Sequence, residues 1–178
     1  MMSIGSARSV PSAWVENTTE YLRLLEGVGD IYTIVEVGVH YGYSLFTFAH
    51  DHPNAVVVGV DNFSYGDSKD AERHLANHLP EFKNIRMIAL DSATAASWWG
   101  KPENYLDIDV LHIDAGHQYH EVKNDFELWS KFVRPGGVIL FHDIRSFPND
   151  VGRFFDELVG RKDKIDIGAG LGAFYKDD

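Results

Sequence analysis

Acidic side chains recur where short apolar runs of this sequence end. Glu36 lies late in the first run, and Asp61, Asp91, Asp114 and Asp143 end the next four. A single acidic residue at such a position is ordinary, because Asp is common in turns. Five in succession predict a site, because ligands of an open α/β sheet bind beyond the carboxyl ends of its strands.

So acidic a crevice constrains the ligand. Such a crevice would repel a pyrophosphate, which is an anion. It would accept a cationic sulfonium, ribose hydroxyls or a divalent metal. On charge alone this favours S-adenosylmethionine over a nicotinamide dinucleotide. Gly38 and Gly42 are spaced G-x-x-x-G, so the G-x-G-x-x-G dinucleotide fingerprint is absent. Asp61 is predicted to accept both ribose hydroxyl protons.

The apolar runs predict the sheet that positions these residues. They are rich in Val and Ile and apolar on both alternating faces, which is typical of parallel strands covered by helices on both sides. The runs are Thr33–Val39, Ala55–Asp61, Asn84–Asp91, Ile108–Asp114 and Gly137–Asp143. Between them lie segments with helical period, so the chain predicts βαβ units.

The end of the sequence predicts a different pairing. Lys164–Ile167 and Gly172–Lys176 flank a glycine-rich turn, which is typical of an antiparallel β-hairpin. Pro135-Gly136-Gly137 is predicted to end a helix and start the fifth strand. We therefore expect a Rossmann-like, doubly wound, seven-stranded α/β sheet, mostly parallel, with a C-terminal antiparallel hairpin and helices on both faces.

Length and composition limit the class of protein. The 178 residues predict one domain, 1–178, with an N-terminal helical segment at 1–29 and a Rossmann-like core at 30–178. A net charge of −11 without a basic stripe argues against nucleic acid as the main partner. The absence of cysteine excludes disulfides, thiolate zinc sites and a cysteine nucleophile.

The same observations give expectations about location and partners. No signal peptide and no run of roughly 18 apolar residues is present, so we expect a cytoplasmic protein without a membrane span. A small-molecule acceptor is the expected partner. The long apolar helices also suggest a homo-oligomer.

Three segments carry a resemblance to a known family. Glu36–Ser44 reads E-x-G-x-x-x-G-x-S, Ile113–Tyr119 reads I-D-x-x-H-x-Y, and Gly136–Asp143 reads G-G-x-x-x-x-H-D. The first resembles motif I of the class I S-adenosylmethionine-dependent methyltransferases. Together they resemble the small methyltransferases related to macrocin O-methyltransferase and the cephalosporin-hydroxylase-like proteins, over nearly the whole chain from Thr33 to Lys176.

The resemblance implies a role for each matching residue. The methionine part of the cofactor would contact Glu36, Gly38, Gly42 and Ser44. Asp61 would hold the ribose with Asn62 beside it, and Asp91 and Ser92 would lie near the adenine. Asp114, His142 and Asp143 would be ligands of a divalent metal. Relatives often have an acidic residue where this chain has His142, and imidazole suits softer metals than magnesium, so the metal's identity stays open.

The resemblance implies O-methylation of a small hydroxylated acceptor, a sugar or natural product. Such an acceptor needs a base or a metal to remove its proton. His117, close to Asp114, is the best base among nine histidines, and His112 within a strand is expected to be a core histidine. Two alternatives stay open: an NAD-type Rossmann oxidoreductase, and a non-catalytic cofactor-binding or assembly module.

Overall fold

The computed structural model describes residues 18–66, 68–158, 165–167 and 170–177. Within these, one sheet has the strand order β3-β2-β1-β4-β5-β7-β6. The strands are β1 (Thr33–Val37), β2 (Val56–Val60), β3 (Ile85–Ile88), β4 (Ile108–Ile113), β5 (Val133–Phe141), β6 (Ile165–Ile167) and β7 (Leu171–Tyr175). The first five in spatial order pair in parallel, and β7 pairs antiparallel with β5 and with β6.

The order in which the chain adds strands to the sheet changes side between β1 and β4. The chain builds outward from β1 through β2 to β3, then returns to the other side of β1 with β4 and β5. The carboxyl ends of β1 and β4 therefore form the switch point where such sheets bind ligands. The expected Rossmann-like α/β architecture, mostly parallel with antiparallel strands at one end, is confirmed.

Helices cover both faces of the sheet. They are α1 (Thr18–Leu25), α2 (Tyr43–Asp51), α3 (Ser68–His78), α4 (Ser92–Trp99), α5 (Tyr119–Trp129) and α6 (Val151–Leu158). One apolar cluster joins α1, α2 and α3 to the sheet, and the other joins α4, α5 and α6. Strands β1 and β4 are buried along their whole length, which explains why their sequences are apolar on both faces.

The start of the fifth strand differs from the prediction. Strand β5 begins at Val133, and Pro135-Gly136-Gly137, which was predicted to end a helix and start this strand, lies inside it. The register with β4 shifts between the pairs Ile108↔Val133 and Val110↔Val138, so the segment bulges out of the ladder. A bulge tolerates proline because the missing N–H is not needed for pairing, and Gly136 takes the positive φ of 70°.

The two ends of the described chain meet at α1. The hydroxyl of Tyr175, on β7, donates to the carbonyl of Leu24 at 2.7 Å. The predicted N-terminal helical segment 1–29 contains the helix Thr18–Leu25, while residues 1–17 and Lys164 lie outside the described residues. Among the described helices, none has the length and apolar character that a bilayer crossing requires.

Candidate active site

A cavity of about 1110 Å³ opens at the carboxyl ends of the parallel strands. Most of the residues that the sequence assigned to a site line this one cavity: Gly38, Ser44, Asp61, Asn62, Asp91, Ser92, Asp114, His117, His142 and Asp143. Glu36 and Gly42 lie behind the wall rather than in it. Four of the five acidic residues therefore meet at one cavity, namely Asp61, Asp91, Asp114 and Asp143.

Gly38 is required by a close approach of two strands. It has a φ of 89°, and a Cβ on it would lie 2.2 Å from the carbonyl oxygen of Asp114. Because that obstacle is backbone, it cannot move aside as a side chain would. The end of β1 and the end of β4 are thus locked against each other at the site.

Gly42 allows two helices beside the cavity to pack closely. It precedes α2 with a φ of 81°, and a Cβ there would lie 2.5 Å from Leu75 and 3.1 Å from Phe46. The glycine thus allows α2 and α3 to pack closely beside the site. Its contact with the cofactor stays a prediction.

Glu36 is completely buried beneath the cavity floor. Its Oε1 accepts from the hydroxyl of Ser44 and lies 2.8 Å from Nδ1 of His112, while Oε2 is buried without a hydrogen-bond partner among the described residues. Burial raises the pKa of Glu36, and the contacts with His112 and Ser44 act in the opposite direction. The predicted core role of His112 is confirmed, because its other nitrogen contacts Tyr21.

Asp61 is held in place by the backbone around it. Oδ2 accepts from the N–H groups of Val39 (2.9 Å) and His40 (2.8 Å), and Oδ1 accepts from that of Phe63 (2.7 Å). Since each carboxylate oxygen has two lone pairs, Oδ2 is fully used and Oδ1 keeps one acceptor position. This pre-organised carboxylate suits one ribose hydroxyl better than the two that the sequence predicted.

The predicted adenine end contains a polar network across two helices. Asp91 caps α4 by accepting from the N–H and hydroxyl of Thr94, and these hydrogen bonds lower the pKa of Asp91. The indole of Trp129 donates to the Ser92 hydroxyl at 2.9 Å. Asp125 also lines the cavity, and burial raises its pKa to about 6 despite a hydrogen bond with Ser92.

Two histidines and two carboxylates form the cluster at the opposite end. Nε2 of His117 lies 3.0 Å from Oδ2 of Asp143. Nδ1 of His142 lies 3.3 Å from Asp114 Oδ1 and 3.2 Å from Asp143 Oδ2. Asp143 has a positive φ of 64°, a left-handed backbone that non-glycine residues adopt at a cost.

The charges in this cluster stabilise one another. The hydrogen bond to Asp143 raises the pKa of His117 against the effect of burial. Burial also opposes the charge on His142, but Asp114 and Asp143 outweigh it and raise the pKa of His142 to about 10. Burial likewise opposes the charge on Asp143, and the contacts with His117 and His142 nevertheless hold its pKa well below the usual range.

A divalent ion has a matching set of ligands in this cluster. One ligand atom from each of Asp114, His117 and Asp143 lies within 4.8 Å of the others. The set includes His117 where the sequence predicted His142. Two carboxylates and an imidazole suit a divalent cation, and His142 lies beside the carboxylates as their charged neighbour.

Two residues of the cavity wall were not predicted to be functional. The ring of Phe147 stacks on His117 at 4.4 Å between centroids and 6° between planes, and so fixes the plane of the imidazole. Tyr21 reaches the cavity from α1, which the sequence predicted only as part of an N-terminal helical segment. Its spacing in that helix gave no sign of a polar role.

Comparisons of sequence connect this chain with a known family. The profile of a family described as "Methyltransferase domain" matches residues 35–144. An uncharacterized protein of Sinorhizobium fredii is 30% identical over 157 residues, covering 75% of this chain and 16% of the relative. An uncharacterized protein of Acanthamoeba polyphaga mimivirus is 29% identical over 153 residues, covering 83% of this chain and 66% of the relative. The chain thus spans only part of both relatives.

Solved structures share the fold. TomG, an O-methyltransferase from Streptomyces achromogenes solved with SAM, has a TM-score of 0.66 and 18% identity, covering 97% of this chain and 87% of its own. MycE, from the mycinamycin biosynthetic pathway and solved with Mg, SAH and mycinamycin VI, has a TM-score of 0.70 and 15% identity, covering 98% and 52%. A Bacillus cereus O-methyltransferase solved with SAH has a TM-score of 0.62 and 22% identity, covering 97% and 87%.

Proposed function

The chain belongs to the methyltransferase-domain family, as a class I S-adenosylmethionine-dependent methyltransferase, and from that premise we propose that it methylates a hydroxyl oxygen of a small acceptor. A sugar or a natural product is the class of acceptor that we favour. The observation that carries the proposal is the single cavity in which Asp61, Asp114 and His117 meet.

The cofactor would extend across the switch point of the sheet. The methionine end would lie near Gly38 and Ser44, above the buried Glu36. Asp61 would accept a ribose hydroxyl through its remaining acceptor position, with Asn62 beside it. The adenine would lie toward Asp91 and Ser92, as the family resemblance implies.

Methyl transfer needs little covalent chemistry from the protein. The acceptor oxygen forms a bond to the methyl carbon while the carbon–sulfur bond breaks, and the electron pair stays on sulfur. The protein aligns oxygen, carbon and sulfur, and the hydroxyl proton must leave. We assign that proton to His117: when Nε2–H donates to Asp143, Nδ1 carries the lone pair that accepts it.

Asp114 would act with His117 by attracting the positive charge of the sulfonium and of the protonated imidazole. A divalent cation bound by Asp114, His117 and Asp143, with His142 adjacent, would lower the pKa of the acceptor hydroxyl. A metal held through His117 would compete with the use of that ring as a base. The cation and the histidine base are therefore alternative routes for activating one hydroxyl.

Binding of S-adenosylhomocysteine is the direct test. We expect saturable binding by isothermal titration calorimetry, weakened at least tenfold by Asp61→Ala. Asp70→Ala is the matched control, because Asp70 is an exposed residue on α3 paired with Arg73. Folded wild-type protein that binds no S-adenosylhomocysteine would overturn the proposal.

Transfer itself is tested with S-adenosylmethionine carrying a labelled methyl group. A panel of sugars and hydroxylated aromatic compounds would be screened for labelled product, with and without added Mg²⁺, Mn²⁺ or Zn²⁺. We expect an O-methyl ether, identified by mass spectrometry. Product methylated only on nitrogen or carbon would contradict the assignment of the acceptor atom.

The oligomeric state, the location and the partners of the protein stay predictions. A homo-oligomer, a cytoplasmic location and the lack of a nucleic-acid partner are not needed for the proposed reaction. The same holds for the division into residues 1–29 and 30–178. Sedimentation and a nucleic-acid binding assay address the oligomer and the nucleic-acid partner.

A further inference from the structure

A chain of polar contacts runs beneath the cavity floor and joins four elements. The hydroxyl of Tyr21 on α1 lies 3.3 Å from Nε2 of His112 on β4. Nδ1 of His112 lies 2.8 Å from Oε1 of Glu36 on β1, and the Ser44 hydroxyl on α2 donates to the same oxygen. All four side chains are buried. Buried polar groups of this kind are costly unless each has a partner.

The directions of these hydrogen bonds follow from the acceptor at one end. An ionised Glu36 only accepts, so His112 donates through Nδ1–H. In a neutral imidazole Nε2 then accepts, and the Tyr21 hydroxyl is the donor that faces it. Burial and the carboxylates of Asp114 and Glu36 raise the pKa of Tyr21 well above its ordinary value, so the hydroxyl keeps its proton. Glu36 thereby selects the tautomer of His112, and the Tyr21 hydroxyl stabilises that tautomer by donating to Nε2.

Aromatic packing prevents the histidine from turning away. The His112 ring meets Tyr21 edge-on at 5.1 Å and Phe48 at 5.6 Å between centroids. Tyr21 and Phe48 also contact each other at 5.0 Å. The imidazole plane is therefore fixed, and with it the position of Glu36 Oε1.

One atom at the end of the chain has no hydrogen-bond partner within the described residues. Glu36 Oε2 is buried, while Oε1 is occupied by Ser44 and His112. Ligand atoms of Glu36, His112 and Asp114 lie within 4.8 Å of one another, and Asp114 lines the cavity. His112 uses both ring nitrogens within the chain of contacts, so this group is better suited to a hydrogen-bond donor than to a metal.

We propose that Tyr21 and His112 are positioning residues that hold the Glu36 carboxylate in place beneath the methionine end of the cofactor, where its negative charge favours the ammonium group. The proposal rests on the proposed function, since it presumes that S-adenosylmethionine occupies the cavity. It adds that α1, outside the segment matched by the family profile, contributes to cofactor recognition through one hydroxyl. Neither residue touches the reacting atoms.

The test compares two ligands that differ at the methionine end. S-adenosylhomocysteine carries the amino-acid group, and 5′-methylthioadenosine lacks it. Tyr21→Phe removes only the hydroxyl, and we expect a five- to twentyfold loss of S-adenosylhomocysteine affinity by calorimetry. Affinity for 5′-methylthioadenosine, measured by calorimetry or competition, should change less than twofold.

A matched control removes a hydroxyl that also contacts α1. Tyr175→Phe deletes the hydrogen bond to Leu24 and leaves the polar chain beneath the cavity intact. This variant should bind S-adenosylhomocysteine within twofold of wild type. Equal losses in Tyr21→Phe and Tyr175→Phe would reduce Tyr21 to an anchor of α1 and overturn the proposal.

Substitutions at His112 provide an independent comparison. Asn presents an amide N–H close to the position of Nδ1, whereas Leu presents none, so His112→Asn should retain more S-adenosylhomocysteine affinity than His112→Leu. If His112→Leu does not fold, Tyr21→Phe decides alone, because it is nearly isosteric. If Tyr21→Phe binds S-adenosylhomocysteine as tightly as wild type, the positioning role is wrong. If the wild-type protein does not bind S-adenosylhomocysteine at all, the proposed function is wrong.

Discussion

At the scale of single residues, the surroundings of His117 support the proposed role of this side chain in proton transfer. Its ring is held between the Asp143 carboxylate and the face of Phe147. Both contacts limit rotation of the imidazole, and the carboxylate raises its basicity. The residue is therefore oriented before an acceptor arrives, which is what general-base catalysis requires.

We expect His117→Ala to lower the turnover of a hydroxyl acceptor by roughly 10²- to 10⁴-fold, the usual contribution of a general base. Affinity for S-adenosylhomocysteine should stay within about threefold, because the proposed cofactor contacts lie elsewhere in the cavity. His120→Ala is the control, since His120 is exposed and also lines the cavity. Turnover equal to that of wild type in His117→Ala would show that His117 is not the base.

Asp125 gives a pH dependence whose sign can be stated. Burial raises its pKa from 3.8 to about 6 in the folded protein, so folding favours the protonated form. The corresponding stability is present below the unfolded pKa near 3.8 and is lost as the pH rises through about 6.

Asp125→Asn should therefore increase the free energy of unfolding at pH 7 by about 1–3 kcal/mol relative to its effect at pH 4. Urea denaturation at the two pH values measures this difference. Asp70→Asn, an exposed substitution, should show no comparable change. If wild type lost no more stability between pH 4 and pH 7 than Asp125→Asn does, the raised pKa of Asp125 would be contradicted.

At the scale of elements, the sequence predicted the strands better than their boundaries. Runs that are apolar on both faces predicted the bounds of β1, β2 and β4 to within two residues. A strand that is buried on both sides needs apolar residues on both faces, so its composition marks its extent. The prediction was wrong for the start of β5, because Pro135-Gly136-Gly137 lies inside the strand and does not begin it. The bulge at Pro135-Gly136-Gly137 depends on pairing with β4 and β7, which local spacing does not report.

The contact of Gly38 with β4 predicts a sensitive point between elements. Gly38→Ala adds a Cβ 2.2 Å from the carbonyl oxygen of Asp114, at a backbone φ of 89°. We expect a loss of at least about 2 kcal/mol of stability and loss of S-adenosylhomocysteine binding. Chemical denaturation and calorimetry measure the two effects.

Gly29→Ala is the matched control for this substitution. Gly29 has a similar φ of 75°, and a Cβ there meets nothing within 4 Å. It should cost about 1 kcal/mol from backbone strain alone and leave binding unchanged. Similar losses in both variants would show that the close approach of β1 and β4 adds nothing.

At the scale of the whole molecule, the acidic residues could be gathered from the sequence because strand order follows from topology. Parallel strands place their carboxyl ends at one edge, so Asp61, Asp114 and Asp143 had to be near one another. Their partners were not predictable. Tyr21 and His112 are 91 residues apart in the sequence and are in contact in the fold. The Asp61 carboxylate accepts three hydrogen bonds from backbone N–H groups.

The cavity involves both sides of the sheet, so a bound cofactor should stabilise the molecule globally. At a concentration 100 times the dissociation constant, S-adenosylhomocysteine should add about 2.7 kcal/mol to the free energy of unfolding. For a chain of this size that corresponds to an increase in Tm of roughly 5–10 °C. Differential scanning calorimetry measures the shift.

Adenosine 5′-diphosphate is a suitable comparison ligand. It carries an adenine and a ribose but presents a pyrophosphate to the acidic rim, so it should raise Tm by less than about 2 °C at the same concentration. An equal shift with both ligands would mean that the charge of the rim does not discriminate between them. It would also restore weight to the dinucleotide alternative.

The left-handed backbone of Asp143 has a consequence for engineering this protein. A glycine at that position would relax the main chain, but it would also remove the carboxylate that stabilises the charges of His117 and His142. Because breaking a buried charge pair costs more than a left-handed backbone, a library selected for thermal resistance alone should retain the aspartate. Selection for stability and selection for catalysis should therefore favour the same residue at this position.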